Sequence, residues 1–198
     1  MKKMMISAVA VLAAASGALA QNAYWSSTTT GGPTFARPSS FTTTASFANA
    51  VNYDVQPFYV NVSGQYVYES STAGASWDGY ILVYANNFNP ATPLANLIAG
   101  DDDFSSTFTV LTGSGSGTDA SRIALGESSN FGGATTGLNL TAGVQYYAVQ
   151  TAYSNGNSGT YNAGIGGGQG TVTLGMIPAP GSLALLGMGG FLAARRRR

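Results

Sequence analysis

Apolar and polar residues alternate along short segments of this chain. Within residues 58–63, every second residue (Phe58, Val60 and Val62) is apolar, and the residues between them are more polar. Because side chains on a β-strand point alternately to its two faces, this pattern predicts a strand with one face on a core and the other toward solvent. No long apolar repeat with a 3.6-residue period occurs between residues 21 and 177. The pattern therefore predicts an all-β fold.

Similar segments recur between turns rich in Gly, Asn, Asp, Ser and Pro, and they predict nine strands. These are Phe41 to Phe47, Gln56 to Val62, Gln65 to Tyr68, Tyr80 to Tyr84, Thr107 to Leu111, Arg122 to Leu125, Gln145 to Ala152, Gly159 to Ile165 and Thr171 to Leu174. The segment 80–84 is apolar on both faces and is predicted to be central, and 145–152 is predicted to be interior. Eight or nine such strands favour a two-sheet antiparallel β-sandwich or jelly roll, here one domain over 41–175.

The segment from Gln21 to Ser40 precedes this domain and is rich in Ser, Thr, Gly and Pro. Such a composition is typical of chain that cannot bury enough apolar surface to fold. The segment is therefore predicted to be a flexible leader, with an added edge segment of a sheet as the alternative.

The first twenty residues have the organisation of a secretory signal peptide. Lys2 and Lys3 form a positive start, residues 4–15 are apolar, and the small residues around Leu19 end at Ala20. We expect signal peptidase to cleave after Ala20 and leave Gln21 as the mature N-terminus. A first buried helix is the alternative interpretation.

The other end carries a Pro-x-Pro motif, Pro178, Ala179 and Pro180, followed by an apolar segment from Ser182 to Ala194. The chain then closes with four arginines: Arg195, Arg196, Arg197 and Arg198. Thirteen apolar residues span about 20 Å as a helix, which is a marginal length against roughly 30 Å of bilayer hydrocarbon. Arginines stay on the cytoplasmic side of a membrane, so this tail predicts a single transmembrane helix with the domain on the outer side.

This tail resembles the PEP-CTERM sorting signal of bacterial exported proteins. The resemblance implies recognition by an exosortase, an integral-membrane processing enzyme that cleaves near the proline motif. Ala179 stands where the family has its glutamate. An ordinary, unprocessed C-terminal anchor is the alternative. The expected location is the membrane through the C-terminal helix, then the cell-envelope surface or the extracellular space.

Composition narrows the chemistry of the part between the two ends. Its charges are two arginines, Arg37 and Arg122, against all eight acidic residues of the chain, a net charge near minus six. A surface without lysine does not favour nucleic acid or anionic lipid. The chain has no cysteine and no histidine. Disulfides, thiolate metal sites and the commonest general base near neutral pH are therefore excluded.

Two internal motifs resemble secreted bacterial β-sandwich modules of the pre-peptidase C-terminal kind. One is the strand from Trp77 to Tyr84 with a later Gly100-Asp101-Asp102-Asp103, and the other is the strand beginning at Tyr146. The resemblance covers about residues 53–165. It implies a β-sandwich and says little about function.

Three consecutive aspartates repel one another unless water, main-chain amides or a cation absorbs their charge. Calcium is the candidate cation, with Asp101, Asp103 and Asp78 as predicted ligands and Asp102 as an alternative to Asp78. The usual spaced calcium loop is missing, so a solvated acidic turn is the alternative, and no other cofactor is predicted.

Carboxylate pairs also suggest glycoside hydrolysis, with Asp101 and Asp103 as the pair. Aromatic side chains could stack on sugar rings, although strand aromatics are usually core residues. The candidates are Trp25, Trp77, Tyr24, Tyr53, Tyr153 and Tyr161. Arg122 is expected to form a structural ion pair with an acidic loop.

Together these features predict an exported, non-catalytic protein of the cell surface or extracellular matrix, with polysaccharide as a candidate partner. The alternatives are a secreted glycan-active enzyme and a self-associating structural component of the envelope.

Overall fold

The computed structural model describes residues 20–72, 77–126, 131 and 137–179. Over these residues the protein is all-β, and eleven strands form two antiparallel sheets with β-sandwich character. The strands are β1 (Ala23–Thr28), β2 (Thr34–Phe35), β3 (Val51–Val60), β4 (Gly64–Ser71), β5 (Gly79–Ala85), β6 (Leu97–Asp101), β7 (Ala120–Ile123), β8 (Leu138–Leu140), β9 (Tyr146–Ala152), β10 (Thr160–Gly166) and β11 (Val172–Leu174). Ser46–Ala48 and Gly117–Asp119 form short 3-10 helices.

The first sheet has five strands in the order β1-β10-β4-β7, and β8 pairs with another part of β4. The second has six strands in the order β11-β3-β9-β5-β6, and β2 pairs with the start of β3. A core of buried side chains includes Phe58, Tyr68, Val149 and Ile165. A hydrogen bond of 2.5 Å from Ser70 Oγ to Gln150 Oε1 joins β4 to β9 inside the protein.

The six-stranded sheet is buried on both faces at β5. All residues from Gly79 to Tyr84 are buried, and β5 lies between β9 and β6. On the face away from the other sheet, Tyr84 packs on Phe88, which also contacts Phe35 and Tyr53. The predictions of a central strand at 80–84 and an interior strand at 145–152 are confirmed.

Seven of the nine predicted strands overlap observed strands, and two do not. Four short strands, β1, β2, β6 and β8, were not predicted. The predicted strand over 41–47 is wrong: Thr44 forms only an isolated bridge with Pro38, and the chain then enters the 3-10 helix. The side chain of Ser40 accepts hydrogen bonds from the main chain at Thr42 and Thr43. Such local bonds compete with pairing between strands.

The predicted strand over 107–111 is wrong because its amides bind a carboxylate. Glu69 of β4 is fully buried, and its two oxygens accept hydrogen bonds of 2.7–2.8 Å from the main-chain N–H groups of Thr109, Val110 and Leu111. Arg122 lies opposite Glu69 in β7, with 3.4 Å between Nε and Oε1. The expected ion pair of Arg122 is therefore present, but its partner lies on a strand.

The prediction of a flexible leader over 21–40 is also corrected. Residues 23–28 form β1, which pairs along its whole length with β10 as an edge strand. Thr34 and Phe35 pair with β3. Residues 23–28 therefore form an added edge segment of a sheet, which was the alternative interpretation of the sequence. Tyr24 and Trp25 favour extended structure, and the polar residues that follow lie at the exposed edge of the sheet.

Both predicted processing regions lie mainly outside the described residues. This applies to residues 1–19, Pro180, the predicted helix over 182–194 and the four C-terminal arginines. Ala20, Pro178 and Ala179 are described and exposed. In the part of the chain that the structure describes, no helix is long and apolar enough to cross a membrane.

Replacing Glu69 with glutamine tests how the segment 108–111 is held. Glu69→Gln keeps the size of the side chain but places an amide N–H₂ against main-chain donors. We expect it to lower the free energy of unfolding by about 3 kcal/mol, because buried donors lose their acceptor. Urea denaturation measures this value. Thr112→Ala, an exposed change in the same loop, should change it by less than about 0.5 kcal/mol. Equal stability of Glu69→Gln and the parent would contradict this account.

Candidate functional site

A cleft of about 510 Å³ opens on the outer face of the six-stranded sheet, the face away from the five-stranded sheet. Its lining comprises Arg37, Ser39, Phe47, Asp78, Tyr80, Asp102, Asp103 and Tyr153. Antiparallel pairing explains the position of the acids. Ile81 lies opposite Asp101, so the residues just before β5 meet the residues just after β6.

Three carboxylates converge in this cleft. One oxygen from each of Asp78, Asp102 and Asp103 lies within 4.8 Å of the other two. Asp102 is only 8% exposed, Asp78 is half-buried, and Asp103 is exposed. The Oδ1 atoms of Asp78 and Asp102 are buried and have no hydrogen-bond partner. The cleft therefore contains carboxylate oxygens that are shielded from solvent and accept no hydrogen bond from the protein.

Arg37 forms the floor of the cleft beside these acids. Its guanidinium carbon lies 3.9 Å from the centre of the Tyr80 ring, and the residue is 2% exposed. Nε and Nη2 donate to the main-chain oxygen of Tyr153 at 3.2 and 2.8 Å, and Nη1 donates to that of Pro38 at 3.0 Å. The guanidinium donors of Arg37 are therefore directed at main-chain carbonyl groups, and they join the segment around Pro38 to the turn at Tyr153.

Burial makes two of the carboxyl groups weaker acids than usual. Burial, followed by the charges of Asp103 and Asp78, raises the pKa of Asp102 to about 7, and the positive charge of Arg37 opposes this shift. Burial, followed by the charge of Asp103, raises the pKa of Asp78 to about 6, again against Arg37. The single positive charge of Arg37 does not compensate the negative charges of three carboxylates in a site from which water is partly excluded.

The sequence-predicted calcium ligands are only partly brought together. Asp78 and Asp103 lie in the cleft, but Asp101, the third predicted ligand, does not. Asp101 is the last residue of β6, is buried, and accepts a hydrogen bond of 2.7 Å from the main-chain N–H of Arg122 in β7. It faces the other sheet, because successive residues of an extended chain point to opposite faces. Asp102, the alternative ligand, takes its place in the cleft.

The same result separates the predicted carboxylate pair of a glycosidase. Asp103 lines the cleft, whereas Asp101 is buried outside it and binds the main-chain N–H of Arg122, so the two do not flank a common substrate. The carboxyl groups that do share a site are those of Asp78, Asp102 and Asp103.

An exposed aromatic pair forms the rim of the cleft. Phe47 and Tyr153 are 50% and 38% exposed, and their ring centres are 5.1 Å apart. The guanidinium of Arg37 lies 5.7 and 5.2 Å from these two rings. Two accessible aromatic faces next to polar groups can accommodate a sugar ring, which has apolar faces and hydroxyl edges.

The other aromatic candidates have mostly structural positions. Trp77 and Tyr161 are buried, and Trp77 Nε1 donates to the main-chain oxygen of Thr160 at 3.0 Å. Trp25 stacks on Tyr68, and Tyr53 packs between Phe35 and Phe88. Tyr24 is exposed on the edge strand, away from the cleft.

A second, smaller cleft of about 390 Å³ lies on the five-stranded sheet. Hydroxyl and amide side chains line it: Ser26, Ser27, Thr28, Ser71, Thr160, Tyr161 and Asn162. The hydroxyl of Ser26 already donates to Asn162 at 2.6 Å. This surface offers hydrogen bonds but lacks charged groups.

Sequence reasoning missed Arg37 and Phe47 as site residues. Arg37 was assigned to the leader, and Phe47 to a strand. One signal was available: Arg37 is one of only two cations between the predicted processing regions, and a chain with so few cations has few means to offset its acids.

Comparison of the sequence with protein-family models and with curated proteins finds no match. The resemblances of the tail and of the body therefore remain hypotheses drawn from the residues themselves.

Replacing Asp102 with asparagine tests the electrostatic description of the cleft. The pKa of Asp102 is higher in the folded protein than in the unfolded chain, so the folded state binds more protons between about pH 4 and 7. Without divalent cations, the free energy of unfolding should therefore fall as pH rises through this window. Asp102→Asn should flatten the fall and add roughly 1–2 kcal/mol at pH 8.

Urea denaturation in EDTA between pH 4 and 8 measures both effects. Asp54→Asn is the matched control, because Asp54 accepts a hydrogen bond from Tyr161 and does not line this cleft. The control should keep the pH dependence of the parent over this window. The description is incorrect if Asp102→Asn has the same pH profile as the parent.

Proposed function

We propose that this protein is an exported, non-catalytic protein of the cell surface or extracellular matrix. It is sorted by an exosortase-type system and binds polysaccharide through the cleft at Tyr153. The observation that carries the binding proposal is the exposed pair Phe47 and Tyr153 beside a buried arginine and three carboxylates.

The ends of the described chain support export and processing. The main chain of Gln21, the predicted mature N-terminus, bonds to Gly170 and Val172, whereas Ala20 before it is exposed. At the other end, Pro178 and Ala179 follow β11 and are exposed. Both predicted processing points are therefore next to folded chain but accessible to an enzyme. Signal peptidase and an exosortase-type enzyme are the proposed partners, and the C-terminal helix over 182–194 is the proposed transient membrane anchor.

The chemistry of the cleft supports a carbohydrate ligand. Sugar hydroxyls donate to carboxylate oxygens, and the faces of sugar rings pack on aromatic side chains. Both kinds of group occur within the same cleft. An antiparallel sandwich, with jelly-roll topology as its proposed finer class, supplies a rigid support for such a surface.

A secreted glycan-active enzyme is the second candidate. The observation that favours it is a pair of carboxyl groups, Asp78 and Asp102, whose pKa values lie near neutrality in a cleft. Glycoside hydrolysis uses one protonated and one ionised carboxyl group across a sugar ring. Here one oxygen from each of the three acids lies within 4.8 Å of the other two, which is shorter than the separation of about 6.5–9.5 Å that an inverting mechanism needs.

A glycan array with the purified protein tests the binding proposal. We expect binding without turnover, and we expect Tyr153→Ala to weaken it about tenfold, since a stacked ring contributes about 1–1.5 kcal/mol. Tyr24→Ala is the matched control, because Tyr24 is an exposed tyrosine outside the cleft. A hydrolase screen on the bound glycans is run in parallel. Turnover that Asp102→Asn abolishes would favour the enzyme, and absence of any binding would contradict the proposal.

Mass spectrometry of the protein from its native host tests the sorting proposal. We expect the mature protein to start at Gln21 and to lack Arg195 to Arg198, because the exosortase-type enzyme would cleave near Pro178 and Pro180. Intact C-terminal arginines on most of the surface-exposed protein would contradict processing and would favour the unprocessed anchor.

A further inference from the structure

The acidic cleft has an unmet electrostatic requirement. A carboxylate oxygen that is removed from water needs a hydrogen-bond donor or a cation, because its desolvation is otherwise uncompensated. Asp102 is more than nine-tenths buried, lines the cleft, and has an Oδ1 atom without a partner. Asp78 is half-buried as a residue, but its Oδ1 atom is also buried and has no hydrogen-bond partner. These oxygens are therefore available to a ligand that carries positive charge.

The protein itself does not supply this charge in full. Arg37 is the cation in the lining of the cleft, and three of its hydrogen bonds go to the main chain of Tyr153 and Pro38. With all three aspartates ionised, the cleft keeps a net charge of minus two after Arg37 is counted. A single divalent cation would neutralise it.

The geometry of the carboxylates suits one ion in particular. Calcium binds oxygen ligands at 2.3–2.6 Å, so oxygens in one coordination sphere are separated by at most about 5 Å. The oxygens of Asp78, Asp102 and Asp103 lie within 4.8 Å of one another. Calcium also tolerates irregular geometry and takes additional ligands from water, which the exposed side of the cleft at Asp103 admits.

We propose that Asp78, Asp102 and Asp103 form a calcium site, with water or ligand hydroxyls completing the coordination sphere. The ends of two strands fix the site: Asp78 directly precedes β5, and Asp102 and Asp103 directly follow β6. Asp101 is not a ligand, because it faces β7. Calcium would remove the repulsion among the three acids and would stabilise the fold. The site does not depend on the proposed binding of polysaccharide.

Calcium titration of the purified full-length chain tests this site. Thermal unfolding is followed at pH 7.5 after EDTA treatment, with calcium raised to about 10 mM, above the dissociation constants of extracellular calcium modules. We expect the unfolding temperature to rise by about 3–6 °C when calcium reaches ten times its dissociation constant. Magnesium, which requires shorter bonds and dehydrates reluctantly, should have a smaller effect.

Asp102→Asn and Asp78→Asn should abolish the calcium-dependent rise, and Asp54→Asn should retain it. These asparagine variants remove repulsion, so they should fold. Terbium luminescence, excited through tyrosine, provides a second readout, because Tyr80 lines the cleft. The parent should sensitise bound terbium, calcium should displace it, and Asp102→Asn should not sensitise it.

The calcium site is contradicted if the parent shows neither a calcium-dependent rise nor terbium luminescence. It is also contradicted if Asp54→Asn loses as much of the rise as Asp102→Asn, since that result indicates screening of surface charge. Because no glycan is present in these measurements, either outcome leaves the binding proposal to be judged by the glycan array.

Discussion

Irregular chain covers part of the outer face of each sheet, and two arginines hold that chain in place. Arg37 fixes the segment around Pro38 and the turn at Tyr153 over the six-stranded sheet. Arg122 pairs with Glu69 and donates to the main-chain oxygen of Thr107 at the five-stranded sheet. Without these contacts, the irregular segments would leave main-chain polar groups unpaired over apolar side chains, which is costly. Holding this covering chain in place is the constraint on which the arrangement of the cleft depends.

The two arginines solve this problem in different ways. At Glu69, a carboxylate accepts three main-chain N–H groups and an arginine balances its charge, so the acid is satisfied by the protein itself. At Arg37, the guanidinium is satisfied by carbonyl oxygens and by the ring of Tyr80, and the neighbouring acids are left without donors. One buried acid is thus structural, while Asp102 remains available to a ligand.

The sequence predicted the strands better than the chain that covers them. Alternation in 58–63 and the fully apolar run at 80–84 identified β3 and β5, because these patterns follow directly from which faces are buried. The segment 107–111 has the composition of a strand, yet its amides bind Glu69, and nothing local in the sequence indicates a partner about forty residues away. The opposite error occurred at β1. Its Ser/Thr-rich sequence did not predict a strand, but the segment forms one because its pairing with β10 compensates for its polar composition.

The candidate site was predicted in kind but not in detail. The run from Asp101 to Asp103 indicated an acidic site, and Asp78 was a further predicted ligand. Which of the three consecutive aspartates enters the cleft depends on where β6 ends, and strand ends are the least certain part of a sequence prediction. Arg37 and Phe47 could not be placed, because their positions depend on the fold of a segment held by tertiary contacts.

Both arginines are engaged in contacts within the protein, and this determines the charge of the protein surface. Between the predicted processing regions there is no lysine, and neither guanidinium projects freely into solvent: Arg37 is buried, and the side chain of Arg122 is 12% exposed. The outside of the folded body therefore offers acids and neutral groups but almost no cationic ones. At neutral pH the folded body therefore migrates to the anode. It has no lysine side chain for reagents that couple to primary amines, and acidic polymers repel it at low ionic strength.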